Sequence, residues 1–265
     1  MDIQGYCLIT GASQGIGRAL AHEWASKGVP ILAVAIDEEG LHSLKQDLES
    51  KYEVSCQILR LDLLKRQSSQ EILDFCQSNK IKIQILVNNV GIGYSGSFEE
   101  SDIDFDLDLV KLNLFPMLQL TKLFLSHLKE FDKSYVLNMG SLGSYSPVPY
   151  KALYSASKAF IYSFSNAISY ELKESSVQVS VSCPPGVYTN AEVVGRIKAS
   201  GTIGKLTSLY GGSVAKYIVS GMLDGKTVII PGKGAKILMV LTKLLPSFLN
   251  RWAVARNMKK HSSAN

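Results

Sequence analysis

The chain has 265 residues, of which 46% are hydrophobic and 19% charged, and this composition suits one globular domain with a large buried core. The net charge of +5 is unevenly placed: residues 225–265 contain eight Lys/Arg and no Asp/Glu, which leaves −3 for residues 1–224. A mildly acidic body with a basic tail is not the pattern of a nucleic-acid-binding protein.

The cysteines and histidines predict no metal centre. The four cysteines include no C-x-x-C pair, and we expect them to be buried, reduced thiols. The four histidines lack the spacing of metal ligands. No charged and then apolar leader opens the chain, and the apolar run 237–241 is far too short to span a bilayer. These features predict a cytoplasmic protein.

Short apolar runs alternate with longer amphipathic stretches. The strand candidates are 6–10, 31–35, 56–61, 83–87, 134–138, 177–182 and 227–230, and the helix candidates are 16–27, 39–51, 68–79, 104–129, 151–175 and 213–224. Several strands are continuously hydrophobic, as expected when helices cover both faces of a sheet. The alternation predicts an α/β fold of the Rossmann type, a doubly wound parallel sheet of about seven strands in a single domain, residues 1–235.

A glycine-rich turn joins the first strand to the first helix. It reads Thr10-Gly11-Ala12-Ser13-Gln14-Gly15-Ile16-Gly17. Glycine here permits a tight turn and lets backbone N–H groups and the helix N-terminus approach a pyrophosphate. The expected cofactor contacts in this turn are Gly11, Ser13, Gln14, Gly15, Ile16 and Gly17. An ordinary tight turn is the simpler alternative.

The same segment formally contains G-x-S-x-G, the nucleophile elbow of serine hydrolases, with Ser13 as the nucleophile. Only ten residues precede Gly11, which leaves no room for the upstream strands of a hydrolase sheet. The chain has no HGGG-like segment, and no histidine lies in an obvious late loop. A hydrolase is therefore the weaker alternative from another functional class.

The segment after the second strand bears on cofactor choice. It reads Ala35-Ile36-Asp37-Glu38-Glu39, with no Lys or Arg to neutralise a 2′-phosphate, and Gln14 is neutral as well. Asp37 lies twenty residues after Gly17, near the position that contacts the adenosine ribose. The carboxylates favour NAD(H) over NADP(H), although Arg18 or a distant lysine could fold back and offset them.

Tyr154 and Lys158 lie four residues apart on a predicted helix, so they share one face. A free phenol has a pKa of about 10, and a nearby ammonium lowers it towards neutrality, where the phenol becomes a useful acid and base. Ser141 follows the fifth strand at the edge where such sheets bind ligands. Taken alone, the tyrosine could be a packing residue and the serine a helix cap.

The motifs together resemble the short-chain dehydrogenase/reductase family. They are Thr10-Gly-x-x-x-Gly-x-Gly17, Asn88-Asn89-Val90-Gly91, Asn113, Ser141, Tyr154-x-x-x-Lys158 and Pro185-Gly186-x-x-Thr189, in the family's order over residues 5 to about 232. Val90 replaces the usual alanine. With Tyr94, this change resembles the branch that includes hydroxysteroid dehydrogenases and long-chain 3-oxoacyl-CoA reductases.

The resemblance implies an NAD(P)-dependent oxidoreductase that transfers a hydride between the cofactor and a small-molecule carbonyl or alcohol. Tyr154 would donate the proton, Lys158 would lower the tyrosine pKa and hold the ribose, Ser141 would bind the substrate oxygen, and Asn113 would hold a relay water. Asn89 and Gly91 would support the cofactor, and Asp62 would reach the adenine. Pro185 and Gly186 would contact the cofactor, and Thr189 would hold its carboxamide. A dinucleotide sensor without catalysis is the alternative, although its signature would be loss of the tyrosine or lysine.

The substrate side is expected to be apolar. Tyr94, Leu142, Tyr150 and the loop 187–212, which lies in a long irregular stretch from 184 to about 212, would line it. This favours a bulky hydrophobic substrate, steroid-like or acyl. The resemblance also implies a homo-oligomer formed through helices 104–129 and 151–175.

The tail 236–265 carries apolar residues at three-to-four spacing with interleaved Lys and Arg. Pro246 predicts two short amphipathic helices rather than one. The tail could pack on the domain or across a dimer interface. Alternatively, it could make a peripheral contact with an anionic membrane, where apolar burial and basic charge act together.

Overall fold

The computed structural model describes residues 3–188 and 208–244, with only the backbone for 242–244. Nine strands are described: β1 Tyr6–Thr10, β2 Ile31–Ala35, β3 Cys56–Arg60, β4 Ile83–Asn88, β5 Ser134–Met139, β6 Val177–Ser182, β7 Val187–Tyr188, β8 Leu209–Tyr210 and β9 Val228–Ile229. The helices are α1 Gly15–Ala25, α2 Glu38–Tyr52, α3 Ser68–Ser78, α4 Ile103–Leu128, α5 Ala152–Glu171, α6 Gly211–Leu223 and α7 Lys233–Leu244, with a 3-10 helix at Leu142–Tyr145.

Seven strands form one parallel sheet in the order β3-β2-β1-β4-β5-β6-β9. The order reverses between β1 and β4, and ligands of doubly wound sheets bind in the crevice beyond the carboxyl ends of the strands at such a point. The predicted Rossmann-type fold with about seven strands is confirmed. Both the glycine turn after β1 and the motif 88–91 after β4 lie at this reversal.

Helices cover both faces of the sheet. Along β1, Cys7 and Ile9 pack with α1, α2 and α6, whereas Leu8 packs with α3 and α4 on the other face. Alternate residues therefore enter two different cores, which explains why the strands are hydrophobic throughout rather than at every second position. All four cysteines are free and buried, as predicted.

Two features of the connections were not predicted. The residues after β5 form the 3-10 helix, and the predicted irregular stretch 184–212 contains the short parallel ladder of β7 with β8. Such short elements depend on partners distant in sequence, so no local periodicity marks them. The helix candidates otherwise match the described helices to within a few residues, and α7 was predicted only as the first part of the tail.

Two phenylalanines on α4, one buried and one exposed, allow the packing of this helix to be tested. Phe124 is 1% exposed in the core, whereas Phe115 on the same helix is 53% exposed. Replacing a buried phenylalanine by alanine removes apolar burial and leaves a cavity, so Phe124→Ala should lower the free energy of unfolding by about 3–5 kcal/mol. At a protein concentration at which the chain is monomeric, Phe115→Ala should change it by only about 0.5 kcal/mol. Denaturant unfolding measures both, and equal losses would contradict the described packing of α4.

Candidate active site

The glycine turn has the geometry of a phosphate-binding loop. Gly11 and Gly15 have φ of +65° and +61°, which favour glycine. A Cβ at Gly17 would collide with the carbonyl oxygen of Gly11 and lie 2.6 Å from Asn89 Nδ2, so the first turn of α1 packs directly on the loop. Gln14 precedes α1 without a side-chain cap, and no acidic residue lies in its first turn. The N-terminus of α1 therefore suits the pyrophosphate of a dinucleotide.

Thr10 ties this turn to the motif after β4. Its hydroxyl accepts hydrogen bonds from Asn89 N and Val90 N at 3.0 and 3.1 Å and donates to Val87 O at 3.3 Å. In return, Asn89 Nδ2 donates to Thr10 O at 2.9 Å and to Gly11 O at 3.2 Å. The cofactor loop and the 88–91 motif are thus one hydrogen-bonded unit. Thr10 belongs to the predicted motif, but the sequence did not predict this linking role.

Asn113 links α4 to the loop after β4 and to α5. Its Oδ1 accepts from Ile92 N at 2.8 Å, and its Nδ2 donates to Ile92 O and to Ser157 Oγ, both at 3.0 Å. A Cβ at Gly91 would lie 2.7 Å from Asn113 Oδ1 and 3.5 Å from Lys158 Nζ. Gly91 therefore gives these two polar side chains the space to approach each other.

Lys158 is the buried cation of the site, with 6% of the residue exposed. Its Nζ donates to Met139 O at 2.8 Å and lies 5.8 Å from the centroid of the Tyr154 ring. Burial lowers the pKa of Lys158 to about 8, and the neighbouring Cys183 opposes this shift. The ammonium is held beside Tyr154 by the carboxyl end of β5.

Ser141 lies at the end of β5 and caps the 3-10 helix. Its Oγ accepts from Gly143 N at 3.1 Å. Ser144 Oγ accepts from Ser141 N at 3.2 Å and donates to Lys158 O at 2.8 Å, which connects the serine segment to α5. Neither Ser144 nor Ser157 was predicted, because a serine that bonds to backbone or to one amide has no sequence signature.

The four predicted catalytic residues thus come from three adjoining elements. Asn113 lies on α4, Ser141 follows β5, and Tyr154 and Lys158 lie in the first two turns of α5. All are at or beside the carboxyl ends of β4 and β5, next to the glycine turn.

Acidic groups lie after β2 and β3, where the sequence predicts the adenosine half of the cofactor. Asp37 caps α2 by accepting from Gly40 N at 3.1 Å, and a Cβ at Gly40 would lie 2.9 Å from Ser13 Cβ, so this cap adjoins the glycine turn. Asp62 follows β3 and accepts from Leu64 N at 3.0 Å.

Arg18 is engaged by groups of the protein itself. Its guanidinium donates to the carbonyl oxygens of Ser13 and Gly40 at 3.3 and 3.1 Å, to Ser43 Oγ at 3.2 Å, and to Asp47 Oδ2 at 2.6 Å. Its charge is therefore balanced by the carboxylate on α2 rather than directed at the ribose position.

The predicted substrate residues lie on the segments around Tyr154. Tyr94 packs edge-on against Phe105 and lines a shallow depression with Tyr154. Gly96 N donates to Tyr150 O at 2.9 Å, which ties the Tyr94 segment to the loop before α5. Tyr150 has a φ of +63°, an uncommon conformation for this residue. Leu142 begins the 3-10 helix and packs against a third core cluster, which consists of the buried residues Met117, Ile161, Val181, Cys183, Ile230 and Ala235.

Pro185 and Gly186 lie between β6 and β7, where Gly186 O accepts from Leu209 N at 3.0 Å. Thr189 falls outside the described residues. Ser13 is buried, and among the described residues no hydrogen bond joins it to a histidine, so the hydrolase alternative gains no support. The same part of the chain contains no group of His, Cys, Asp or Glu that could hold a metal ion.

The comparisons with known proteins agree with these features. The model of the family described as short chain dehydrogenase matches residues 6–196, and the chain belongs to this family. A very-long-chain 3-oxoacyl-CoA reductase of Meyerozyma guilliermondii is 36% identical over 186 residues, 66% of this chain and 54% of that protein. The 17-beta-hydroxysteroid dehydrogenase type 3 of Mus musculus is 30% identical over 186 residues, 69% of this chain and 60% of that protein. The predicted branch is therefore confirmed, and the chain spans little more than half the length of these relatives.

Solved structures share the fold. A 7beta-hydroxysteroid dehydrogenase structure has a TM-score of 0.86 at 18% identity and covers 95% of this chain and 96% of its own. A Sphingobium yanoikuyae short-chain dehydrogenase in complex with NADPH has a TM-score of 0.77 at 23% identity over 98% and 96% of the two chains. A Burkholderia phymatum enzyme in complex with NAD has a TM-score of 0.79 at 20% identity over 91% and 94%.

The lowered pKa of Lys158 predicts how cofactor binding depends on pH. Below about pH 8 the amine is protonated, and above it the charge is lost, so its hydrogen bonds to a ribose become neutral and weaker. The Kd for NADH should therefore rise by about tenfold as the pH increases from about 7 to about 9.5. Fluorescence titration measures it. Lys158→Met has no charge to lose and should bind weakly with a flat profile, whereas an identical rise in this variant would assign the titration to another group.

Proposed function

We propose that the protein is a nicotinamide-dependent oxidoreductase that interconverts a carbonyl and a secondary alcohol. One observation carries the proposal: Tyr154, Lys158, Ser141 and Asn113 meet at the carboxyl edge of the sheet, beside a turn shaped for a pyrophosphate. A catalytically silent sensor would lack the tyrosine or the lysine, and both are present.

The residues have separate tasks in this reaction. The bound nicotinamide would supply or accept the hydride. The Tyr154 hydroxyl would donate its proton to the carbonyl oxygen during reduction. During oxidation, the Tyr154 phenolate would accept the proton of the alcohol. Because Gly143 N occupies the acceptor side of Ser141 Oγ, the Ser141 hydroxyl proton is available to the substrate oxygen.

Lys158 and Asn113 would support the tyrosine. Met139 O accepts one of the three N–H groups of Lys158, which leaves two for the ribose and for a water. The ammonium beside Tyr154 stabilises the phenolate that forms when the proton leaves. Asn113, bonded to Ile92 and Ser157, would hold the relay water behind Lys158.

The cofactor is proposed to be NAD(H). Asp37 and the neighbouring Glu38 and Glu39 lie where a 2′-phosphate would approach, and Arg18 is neutralised by Asp47. A carboxylate near the ribose accepts hydrogen bonds from its hydroxyls and repels a phosphate. The adenine would lie towards Asp62.

The substrate is proposed to be hydrophobic, acyl or steroid-like. Tyr94 with Phe105 and Leu142 with the third core cluster present aromatic and aliphatic groups on the segments around Tyr154. The names of the relatives, a 3-oxoacyl-CoA reductase and a hydroxysteroid dehydrogenase, support the same class.

We also propose a homo-oligomer formed through α4 and α5. Both helices leave large aromatic side chains exposed, Phe115 on α4 and Phe160 on α5, and Phe160 stacks on Phe164 with ring centroids 6.1 Å apart. Exposed aromatic residues of this kind are typical of interface cores.

The division into a catalytic domain, 1–235, and a basic tail, 236–265, is part of the proposal, as is peripheral membrane contact by the tail. No helix within the two described ranges is sufficiently long and apolar to cross a bilayer. The described part of the tail belongs to α7, which begins before the boundary, at Lys233.

Tyr154→Phe tests the chemistry. The substitution removes only the hydroxyl, so turnover of a hydrophobic ketone should fall by about 10²-fold or more, while NADH affinity and unfolding stay near those of the wild type. Oxidation of NADH, followed by its absorbance, measures the rate. Activity within about threefold of the wild type would exclude Tyr154 as the acid and base.

Asp37→Ser tests the cofactor choice. Serine also caps helices, so the variant keeps the start of α2 and loses the charge. The wild type should bind NADH more tightly than NADPH. In the variant, the ratio of the Kd for NADPH to the Kd for NADH should be about tenfold smaller. Titration of both cofactors on both proteins gives the four Kd values. Tighter NADPH binding by the wild type would overturn the proposed preference.

A further inference from the structure

The helix α7 presents an unusual outward face. Five residues on this face, Lys233, Lys236, Ile237, Val240 and Leu241, are exposed, and they recur at three-to-four spacing. Ile237 is 63% exposed, and Val240 and Leu241 are about half exposed. We call these five residues the α7 surface. It combines a contiguous apolar stripe with two lysines at its N-terminal end.

The opposite face of α7 packs against the core. Ala235 is buried, and Met239 packs against the third core cluster, which includes Ile230 and contacts Leu142 and Tyr145. The helix is therefore anchored through its inner face, so folding does not require the outer stripe to be apolar. Contiguous exposed apolar residues that folding does not require are typical of contact surfaces, so this stripe is a candidate for one.

We propose that the α7 surface docks on an anionic lipid bilayer. Charge complementarity supports this occupant, because Lys233 and Lys236 flank the stripe and residues 225–265 carry eight basic and no acidic side chains. Lys236 Nζ lies 5.4 Å from the ring centroid of Tyr217, which is itself partly exposed on α6. Lysine and tyrosine are residues that favour the headgroup level. The acidic remainder of the chain would turn away from the same membrane.

A second copy of the chain fits this surface less well. A two-fold contact places the same patch on both partners, so it would bring four lysines, Lys233 and Lys236 of each copy, into one interface. The sequence around α7 offers no carboxylate to compensate them, since no Asp or Glu follows Asp224. Like charges opposed in this way weaken an interface, whereas anionic headgroups would pair with them.

Docking through α7 would also place the substrate side near the bilayer. The inner face of α7 packs on the 3-10 helix, which begins at Leu142, directly after Ser141. We infer that a lipid-borne carbonyl reaches the site from the bilayer side. This consequence rests on the proposed oxidoreductase function, whereas the docking itself does not.

Vesicle co-sedimentation of the full-length protein, without cofactor or substrate, tests the docking. The protein should bind phosphatidylcholine vesicles that contain phosphatidylglycerol, should bind pure phosphatidylcholine weakly, and should be released by salt. Ile237→Ser should weaken partitioning by about tenfold. The matched control is Ile103→Ser on α4, because Ile103 is 65% exposed, and it should bind as the wild type does.

Two double variants test how much the lysine charges contribute to membrane binding. Lys233→Gln with Lys236→Gln should lower partitioning by about fivefold for each lysine. Lys82→Gln with Lys133→Gln removes the same charge beside the amino ends of β4 and β5, at the opposite edge of the sheet, and should have little effect. Thermal unfolding of all variants verifies that they are folded.

Equal partitioning of the Ile237 and Ile103 variants would overturn the proposal. A change in the oligomeric mass of Ile237→Ser, with vesicle binding unchanged, would instead assign the surface to a contact between copies. For substrate access, Ile237→Ser should raise the KM for a ketone embedded in anionic vesicles and leave kcat and the KM for a water-soluble ketone unchanged. Equal KM values for wild type and variant on the embedded ketone would reject entry from the bilayer. If the wild type reduces neither ketone, that result would count against the proposed function and not against docking.

Discussion

The burial of both faces of a parallel sheet is the constraint on which the rest of this structure depends. Since α1, α2 and α6 cover one face and α3, α4 and α5 the other, the strands carry mainly apolar side chains along their length. The buried polar exceptions Gln84 and Ser180 donate to backbone carbonyl oxygens. Polar groups are concentrated where the strands end. Thr10, Asn89 and Ser141 follow this rule, and the reversal of strand order between β1 and β4 opens the crevice that they border.

The same constraint sets the free-energy cost of burying Lys158, the lysine that we propose acts in catalysis. A buried ammonium is disfavoured, and the pKa of Lys158, lowered by burial to about 8, expresses a folding cost of about 3 kcal/mol for the protonated form. Because the folded pKa lies below the unfolded one, this cost is fully present below about pH 8 and disappears as the pH rises towards about 10.4. The hydrogen bond to Met139 O offsets part of it. The fold is thus less stable than it would be without the buried ammonium, and this ammonium places a positive charge beside Tyr154.

The helices that form this site also form part of the outer surface of the protein. α5 carries Tyr154 and Lys158 near its start and exposes Phe160 two residues after Lys158. α4 carries Asn113 on its buried side and exposes Phe115. α7 is organised in the same way, with a core-facing side against the 3-10 helix and an apolar stripe outside. A partner or membrane that binds these exposed faces would contact helices that carry the predicted catalytic residues or pack beside them.

The sequence by itself determined the strand and helix alternation, the glycine turn, and the Tyr154-x-x-x-Lys158 pair, because each depends on local periodicity or on spacing along one helix. It also predicted the acidic segment at Asp37 and the basic tail. Only the tertiary structure decided the roles of Thr10, Ser144 and Ser157, whose bonds to Asn89, Lys158 and Asn113 join residues on different elements. It likewise decided that Arg18 is held by Asp47 and that α7 buries one face and exposes the other. A hydrogen-bond partner far along the chain leaves no periodic trace in the sequence, so such contacts follow from packing alone.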